Sequence, residues 1–363
     1  MAPEPPRLVP LPPALLGPDP VQALLEEPLP HGEPWGWRLA RALLEARPLA
    51  RRFLEGTPAG LLRLVAEDLD RLRAWRQRLQ DEHALSDMGC REAGEAEWAA
   101  LAVLERGDAE DLVELYRRYG HAPFSLHTAF VWNGTLEPVR HPEPSDEAVL
   151  VGYEPQLEAL HENVERFLAG RPALPTLLYG ARGTGKSTAV KALRVRYGER
   201  GLRLVEVLPE GLEALPALLD ELRGLPQRFV LYLDDLAYDA DDPGWRKLKT
   251  LLDGALWAMP ENALWIATSN RKNLVREGWS DRPDPGAEPG AWDAVQEKLA
   301  LADRFGLHLT FPPFDQRLYL RAVARHLGQS ELDEATREAA LRFARAAHGF
   351  SGRTAKQFAD TLR

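Results

Sequence analysis

The chain has 363 residues, 45% of them apolar, and a formal net charge of −10; that length suits two or three compact units, and no apolar run approaches the ~20 residues that would span a bilayer. The acid is concentrated: residues 1–150 hold 16 Arg, no Lys and 25 acidic side chains, a net −9, against −1 for the remainder. Such a segment is repelled by phosphodiester backbones, so its expected partner is a protein. Cys90 is the only cysteine, which excludes an internal disulfide and a cysteine-based zinc site and fits a reducing, cytoplasmic setting.

The opening MAPEPPRLVPLPP has no charged segment followed by an apolar stretch and a small-residue cleavage site, so no secretory signal is expected. Residues 1–20 read as a Pro-rich tail. From Val21 to Tyr119 apolar residues recur at helical spacing, as in Leu61, Leu62, Val65, Leu69, Leu72 and Trp75, in Trp98, Leu101 and Leu104, and in Leu112, Leu115 and Tyr116. A mainly helical, acidic domain is therefore expected over 21–148. Within it Asn133-Gly134, between HTAFVW and TLEPV, predicts a two-residue hairpin, and HPEPSDEA (141–148) reads as a linker.

The pattern then changes. LPTLLYG, LRLVEV, RFVLYLDD, ALWIATSN and LHLTF are short apolar runs, the early ones separated by helix-like stretches, which predicts an α/β core with a parallel sheet over 149–313. After Pro312-Pro313, three helical stretches beginning near Asp315, Asp333 and Ser351 predict a helical lid over 314–363.

GARGTGKS follows the first of these strands and opens the helix STAVKALRVRY, which is both the Walker A pattern and its required context. Its residues Gly180, Ala181, Arg182, Gly183, Thr184, Gly185, Lys186 and Ser187, with Thr188 behind them, form a candidate phosphate site. Glycines let the backbone curl so that N–H groups face the phosphates, and the helix offers its positive end. Lys186 is the first Lys in a chain with 38 Arg and 7 Lys; a compact ammonium suits this cradle where a guanidinium fork does not. Ser187 offers a hydroxyl to Mg²⁺. RFVLYLDD ends in Asp234, placed to hold magnesium through water, and Asp235, placed as the catalytic base; alternatively the pair is a solvated strand end.

With both Walker motifs in hand, the sequence resembles an AAA+ ATPase from about Val149 to Arg363, which implies ATP and Mg²⁺ as ligands, hydrolysis to ADP and phosphate, and assembly into a homo-oligomer or ring. The resemblance implies that Asn270, ending ALWIATSN, is the sensor-1 residue, that Arg304 in ALADRFG is an arginine finger and that Arg353 in SGRTAKQF is the sensor-2 arginine. It implies also that Val151, Gly152 and Tyr153 line the adenine pocket. More narrowly, GARGTGKS, LDDL, ATSNRK, ADRFGL and SGRTAKQF together resemble the bacterial P-loop ATPase family catalogued as domain of unknown function 815. Most AAA+ proteins carry Asp-Glu where this chain has Asp234-Asp235; the shorter side chain leads us to expect slow turnover.

Each residue has a plainer alternative: Asn270 as a strand cap, Arg304 as a surface arginine, Arg353 as a solvated first-turn residue after an N-cap at Ser351. Arg317, Arg321 and Arg325 recur every four residues and form either a solvated face or a contact stripe. The cluster Arg71, Arg73, Arg76 and Arg78 wraps its helix and suggests no function. Two functions are expected to compete: a remodeller or loader whose acidic N-terminal domain recruits a protein client, and a nucleotide-gated DNA-binding protein resembling replication initiators and helicase loaders. A small-molecule kinase would not call for the finger and lid motifs, and the sequence lacks a guanine-specific Asn-Lys-x-Asp.

Overall fold

The computed structural model describes residues 35–83, 94–237, 248–250, 259–271, 274, 301–347 and 349–362. The Pro-rich tail, Cys90 and the side chains of Arg71, Trp75, Arg76 and Arg78 lie outside the described residues. Contacts divide the chain into one compact unit made of residues 1–128 with 224–227, and a second made of 129–223 with 228–363.

The first unit is helical. Its described helices are α1 (Trp35–Glu45), α2 (Arg47–Glu55), α3 (Ala59–His83), α4 (Glu95–Arg106) and α5 (Ala109–Tyr119). Leu43, Leu44, Phe53, Val65, Leu69, Leu72, Leu104, Leu112 and Tyr116 form its core, as their helical spacing requires. The Tyr116 ring stacks on Phe53 with centroids 6.2 Å apart, and its hydroxyl donates to the Leu43 carbonyl at 2.6 Å, so the buried phenol is satisfied. Arg73 closes the end of α4. Its guanidinium donates to the carbonyls of Val103 and Leu104 at 3.0 and 2.9 Å and also to that of Gly107, adding a charged donor to Val103, which already accepts the Gly107 N–H, where that helix stops. Trp98 departs from the spacing-based expectation, being 54% exposed. In α4 the buried face is set by Ala96, Ala100 and Leu104, which allow close packing on α1, and Trp98 falls on the opposite side.

His121 follows α5 and is fully buried, with Nδ1 against the Ala122 carbonyl at 2.6 Å and Nε2 without a hydrogen-bond partner among the described residues. Burial pulls its pKa down to about 4, the Ala122 carbonyl opposes this, and Arg51 and Arg47 add to it. The folded pKa lies below the unfolded value of 6.5, so below pH 6.5 the unfolded chain binds the proton first. Stability should therefore fall as pH drops from 6.5 towards 4, by up to about 3 kcal/mol in all. Urea unfolding followed by the signal of the helical unit should show this loss, and His121→Asn should flatten it.

The second unit is built on a seven-stranded sheet ordered β2-β1-β4-β5-β6-β3-β7, with β1 (Ala129–Trp132), β2 (Leu136–Pro138), β3 (Thr176–Gly180), β4 (Leu202–Val207), β5 (Arg228–Leu233), β6 (Ala263–Ser269) and β7 (Leu307–Phe311). All neighbouring pairs are parallel except β1–β2. Phe229 to Leu233 and Leu264 to Ser269 are buried throughout, as central strands covered on both faces demand. The five expected core strands are β3 to β7. The helix α6 (Glu154–Leu168) leads into β3, and α7 (Lys186–Tyr197) and α8 (Leu215–Leu222) connect β3 to β4 and β4 to β5.

The hairpin differs from expectation twice. Trp132 pairs with Leu136, leaving the three residues Asn133 to Thr135 as the loop, because the Asn133 carboxamide accepts from the Thr135 N–H at 3.0 Å. In addition, β1 pairs in parallel with β4, and Trp132 is buried with its indole N–H on the Gly211 carbonyl at 2.8 Å. The hairpin is thus an edge of the sheet, and the second unit begins at Ala129, ahead of the boundary expected at 148.

The lid follows β7 as α9 (Gln316–His326), α10 (Glu334–Ala346) and α11 (Gly352–Asp360). Each is started by the side chain anticipated from the sequence: Asp315, Asp333 and Ser351 accept from the N–H groups of Leu318, Thr336 and Thr354 at 2.7, 2.7 and 3.1 Å. Tyr319, Val323, Ala340, Ala344, Ala355 and Phe358 make the lid core.

Candidate functional site

Parallel strands deliver their C-terminal ends to one edge of the sheet, where α/β proteins bind ligands. Here β3 ends at Gly180 and α7 begins at Lys186, with Gly185 as an N-cap in the left-handed region that contributes no capping side chain. The first-turn N–H groups of α7 are therefore left for an anion. A Cβ at Gly180 would stand 1.9 Å from the Phe311 carbonyl oxygen, so the loop can leave the β3–β7 pair only through glycine. At Gly183, φ is +74°, and a Cβ would meet Ser351 at 2.9 Å.

Lys186 is buried, and its ammonium donates to the carbonyls of Gly180 and Ala181 at 2.9 and 2.8 Å and to Asn270 Oδ1 at 3.2 Å. Burial lowers its pKa, Asp235 and Asp234 oppose the fall, and Arg182 adds to it. Ser187 Oγ donates to Asp234 Oδ1 at 2.8 Å, and the same oxygen accepts from Tyr232 at 2.5 Å and Thr268 at 2.6 Å. Burial raises the Asp234 pKa, but these three hydroxyls outweigh it and hold the carboxyl below its ordinary range. Asp235 is the one non-glycine residue with positive φ among the described residues, at +50°, a conformation that costs a non-glycine residue about 1 kcal/mol or more. Its N–H donates to Thr268 Oγ1 at 2.9 Å and its carboxylate accepts from Asn270 Nδ2.

These groups face a cleft of about 840 Å³. It is lined by Tyr153, Arg182 to Thr188, Asp234, Asp235, Asn270 and Arg353 among the residues singled out by sequence. Three of the chain's seven lysines, Lys186, Lys191 and Lys356, line it as well, which marks the cleft as a place where point charges are wanted in a chain that otherwise uses arginine. Val151 and Gly152 do not line it. Val151 packs with the lid core and Gly152 lies under Leu318, while Val149 and Leu150 take the wall position. Tyr153 is buried with its ring 4.8 Å from Phe311, its hydroxyl donating to the Pro312 carbonyl at 2.7 Å.

Arg304 does not line the cleft; it is exposed just ahead of β7, at the opposite end of that strand from Phe311. The segment Glu143 to Asp146, read as a linker, is a cleft wall held by Arg194 on the Glu143 carbonyl at 3.2 Å and by Lys191 on the Glu143 carboxylate at 3.6 Å. Sequence carried no signal for this, because the contacts are made by residues about 50 positions away. Two of the three stripe arginines on α9 contact the core, Arg325 donating to the Ala148 carbonyl at 2.7 Å and Arg321 lying 3.5 Å from Glu154 in an exposed pair, while Arg317 is exposed. The lid also touches the loop directly, Gly352 N–H donating to the Gly183 carbonyl at 2.8 Å.

The donor set fits a magnesium nucleotide: a helix N-terminus and an ammonium for phosphates, a hydroxyl and a carboxylate for a hard cation. Among the described residues no group of three or more His, Cys, Asp or Glu side chains forms a metal site, so a cation here would share its shell with phosphates and water. Gly180→Ala should destabilise the second unit by about 2–4 kcal/mol in urea unfolding, since β3 and β7 must part to admit the methyl group.

Fold and site together have the P-loop arrangement of the AAA+ type. The chain belongs to the family described as Protein of unknown function (DUF815), whose model matches residues 125–363. No curated protein matches the sequence. Among solved structures it is similar to the Thermotoga maritima RuvB Holliday junction branch migration motor, at 18% identity and a TM-score of 0.38 over 61% of this chain and 64% of that one. It is similar also to the Aeropyrum pernix ORC2 protein in ADPNP–ADP complexes, at 16%, 0.36, and 61% and 69%. A third is the E. coli MS115-1 HORMA:CdnC:Trip13 complex, at 16%, 0.35, and 60% and 90%. The chain thus spans just under two thirds of the RuvB chain. Among the described residues no helix is long and apolar enough to cross a membrane.

Proposed function

We propose that this chain is a Mg²⁺-dependent ATPase that works as a homo-oligomer in the cytoplasm, its acidic N-terminal part recruiting a protein client that it remodels or loads. The observation that carries this reading is the convergence of Lys186, Ser187, Asp234, Asp235, Asn270 and Arg353 on one cleft at the start of α7. Lys186 binds the β and γ phosphates, for which it must exchange the Gly180 and Ala181 carbonyls. Ser187 and Asp234 would hold the magnesium ion, which offsets phosphate charge when bound. Asp235 orients the attacking water and accepts its proton while the bond from the γ phosphorus to the bridging oxygen breaks, and Asn270 fixes Asp235. Arg353 meets the γ phosphate from the lid. Arg304, outside its own cleft, completes a neighbour's site.

Lys186→Ala should weaken ATP binding by about 1.5–3 kcal/mol, whereas Asp235→Asn should leave binding within a few fold and abolish turnover. Arg304→Ala should bind ATP and not hydrolyse it, and mixing it with Lys186→Ala should restore part of the activity at shared interfaces. Wild-type hydrolysis by folded Lys186→Ala would refute the phosphate site; co-assembly without recovery would refute the finger in trans. Arg321 and Arg325 of the α9 stripe are bonded to Glu154 and the Ala148 carbonyl, which favours the protein-client reading over nucleic acid. ATPase stimulation by DNA that falls steeply with salt would nevertheless move the reading to a nucleotide-gated DNA binder.

A further inference from the structure

Thr268 lies within the ATSNRK run but has no role assigned there, yet it touches both acidic residues of the site. It sits on β6 one step beyond the pair Leu233 and Ala267, so it faces Asp234 across the sheet, and it is 1% exposed. Its hydroxyl has one proton, given to Asp234 Oδ1 at 2.6 Å, and its lone pairs accept the Asp235 N–H at 2.9 Å. The Thr268 carbonyl accepts the Leu236 N–H at 2.7 Å. One residue therefore stitches three successive residues, Asp234, Asp235 and Leu236, to the strand that ends in Asn270.

Resting on the ATPase reading above, we infer that Thr268 is the positioning residue that couples the cation-side carboxylate Asp234 to the water-side carboxylate Asp235. With Ser187, Tyr232 and Thr268 all on Oδ1, the Asp234 carboxylate is fixed in rotation, and Oδ2, which takes none of these bonds, would be the oxygen left for a cation's water shell. The same Thr268 oxygen holds the backbone of Asp235 at φ +50°, from which its carboxylate reaches Asn270. Neither function needs Thr268 to touch nucleotide. Tyr232 shares only the first, since it bonds Asp234 and not Asp235, so the two hydroxyls are separable by mutation.

The test uses the full chain with mant-ATP and Mg²⁺. Thr268→Val keeps the shape and removes both bonds. Binding of mant-ATP in EDTA should stay within about threefold of wild type, the Mg²⁺ concentration for half-maximal hydrolysis should rise about tenfold or more, and kcat at saturating Mg²⁺ should fall about tenfold or more. Tyr232→Phe should raise the Mg²⁺ requirement with kcat nearly intact, and Thr268→Ser should restore wild-type behaviour. Should valine prevent folding, Thr268→Ala, which also removes both bonds, takes its place with the same expected outcomes. A folded Thr268→Val with wild-type Mg²⁺ requirement and kcat overturns the inference, as does a serine variant no better than valine. If wild type binds no mant-ATP, the ATPase reading fails and this one is decided by the nucleotide-free crystal structure of the Thr268 variant. Loss of the left-handed Asp235 conformation and of its Asn270 bond supports it; their retention overturns it.

Discussion

The ammonium of Lys186 is the charge around which the site is arranged. A buried cation must be given oxygens, and this one takes two carbonyls of its own loop and the Oδ1 of Asn270. Those three bonds tie the loop between β3 and α7 to the end of β6. They also leave the first-turn N–H groups of α7 facing the cleft, because Gly185 caps the helix with no side chain. A phosphate chain that draws the ammonium to itself releases the two loop carbonyls and keeps the helix dipole, so binding exchanges one set of oxygens for a better charged one.

The lid is joined to the same loop. Gly352, in the first turn of α11, donates to Gly183, and Arg321 and Arg325 of α9 hold Glu154 and the Ala148 carbonyl, on either side of Val149 and Leu150 in the cleft wall. Arg353 and Lys356 project from α11 to the cleft. A change in loop shape on binding phosphate therefore reaches the lid through backbone contact as well as through charge. This gives a physical route by which ligand state and lid position depend on one another.

How much of this was legible in the sequence follows from the range of the interactions. The phosphate loop, the five core strands and the three lid caps are written in local residue types, since a helix N-terminus needs Asp315, Asp333 or Ser351 within a turn of the N–H it accepts. The same locality made Asp234 and Asp235 visible at the end of an apolar run. What was not visible depends on elements meeting in space. Trp98 has helical spacing but lies opposite the alanines that face α1; the run HTAFVW reads as a hairpin but not as the strand beside β4. Glu143 to Asp146 has the composition of a linker and becomes a cleft wall through Arg194 and Lys191. Thr268 and Tyr232 are ordinary strand residues until β5 and β6 pair and bring their hydroxyls to Asp234.

The arrangement around Lys186 requires the triphosphate of ATP to lie on the N-terminus of α7 and to take the Lys186 ammonium from its loop. A crystal structure of the full chain with Mg²⁺ and a non-hydrolysable ATP analogue tests it most directly. Phosphates should lie within hydrogen-bonding distance of Lys186 Nζ and of first-turn N–H groups of α7, with a cation beside Ser187 and Asp234 and Lys186 no longer bonded to both Gly180 and Ala181. A nucleotide bound elsewhere, or one whose phosphates point away from α7 while Lys186 keeps both loop carbonyls, would contradict it.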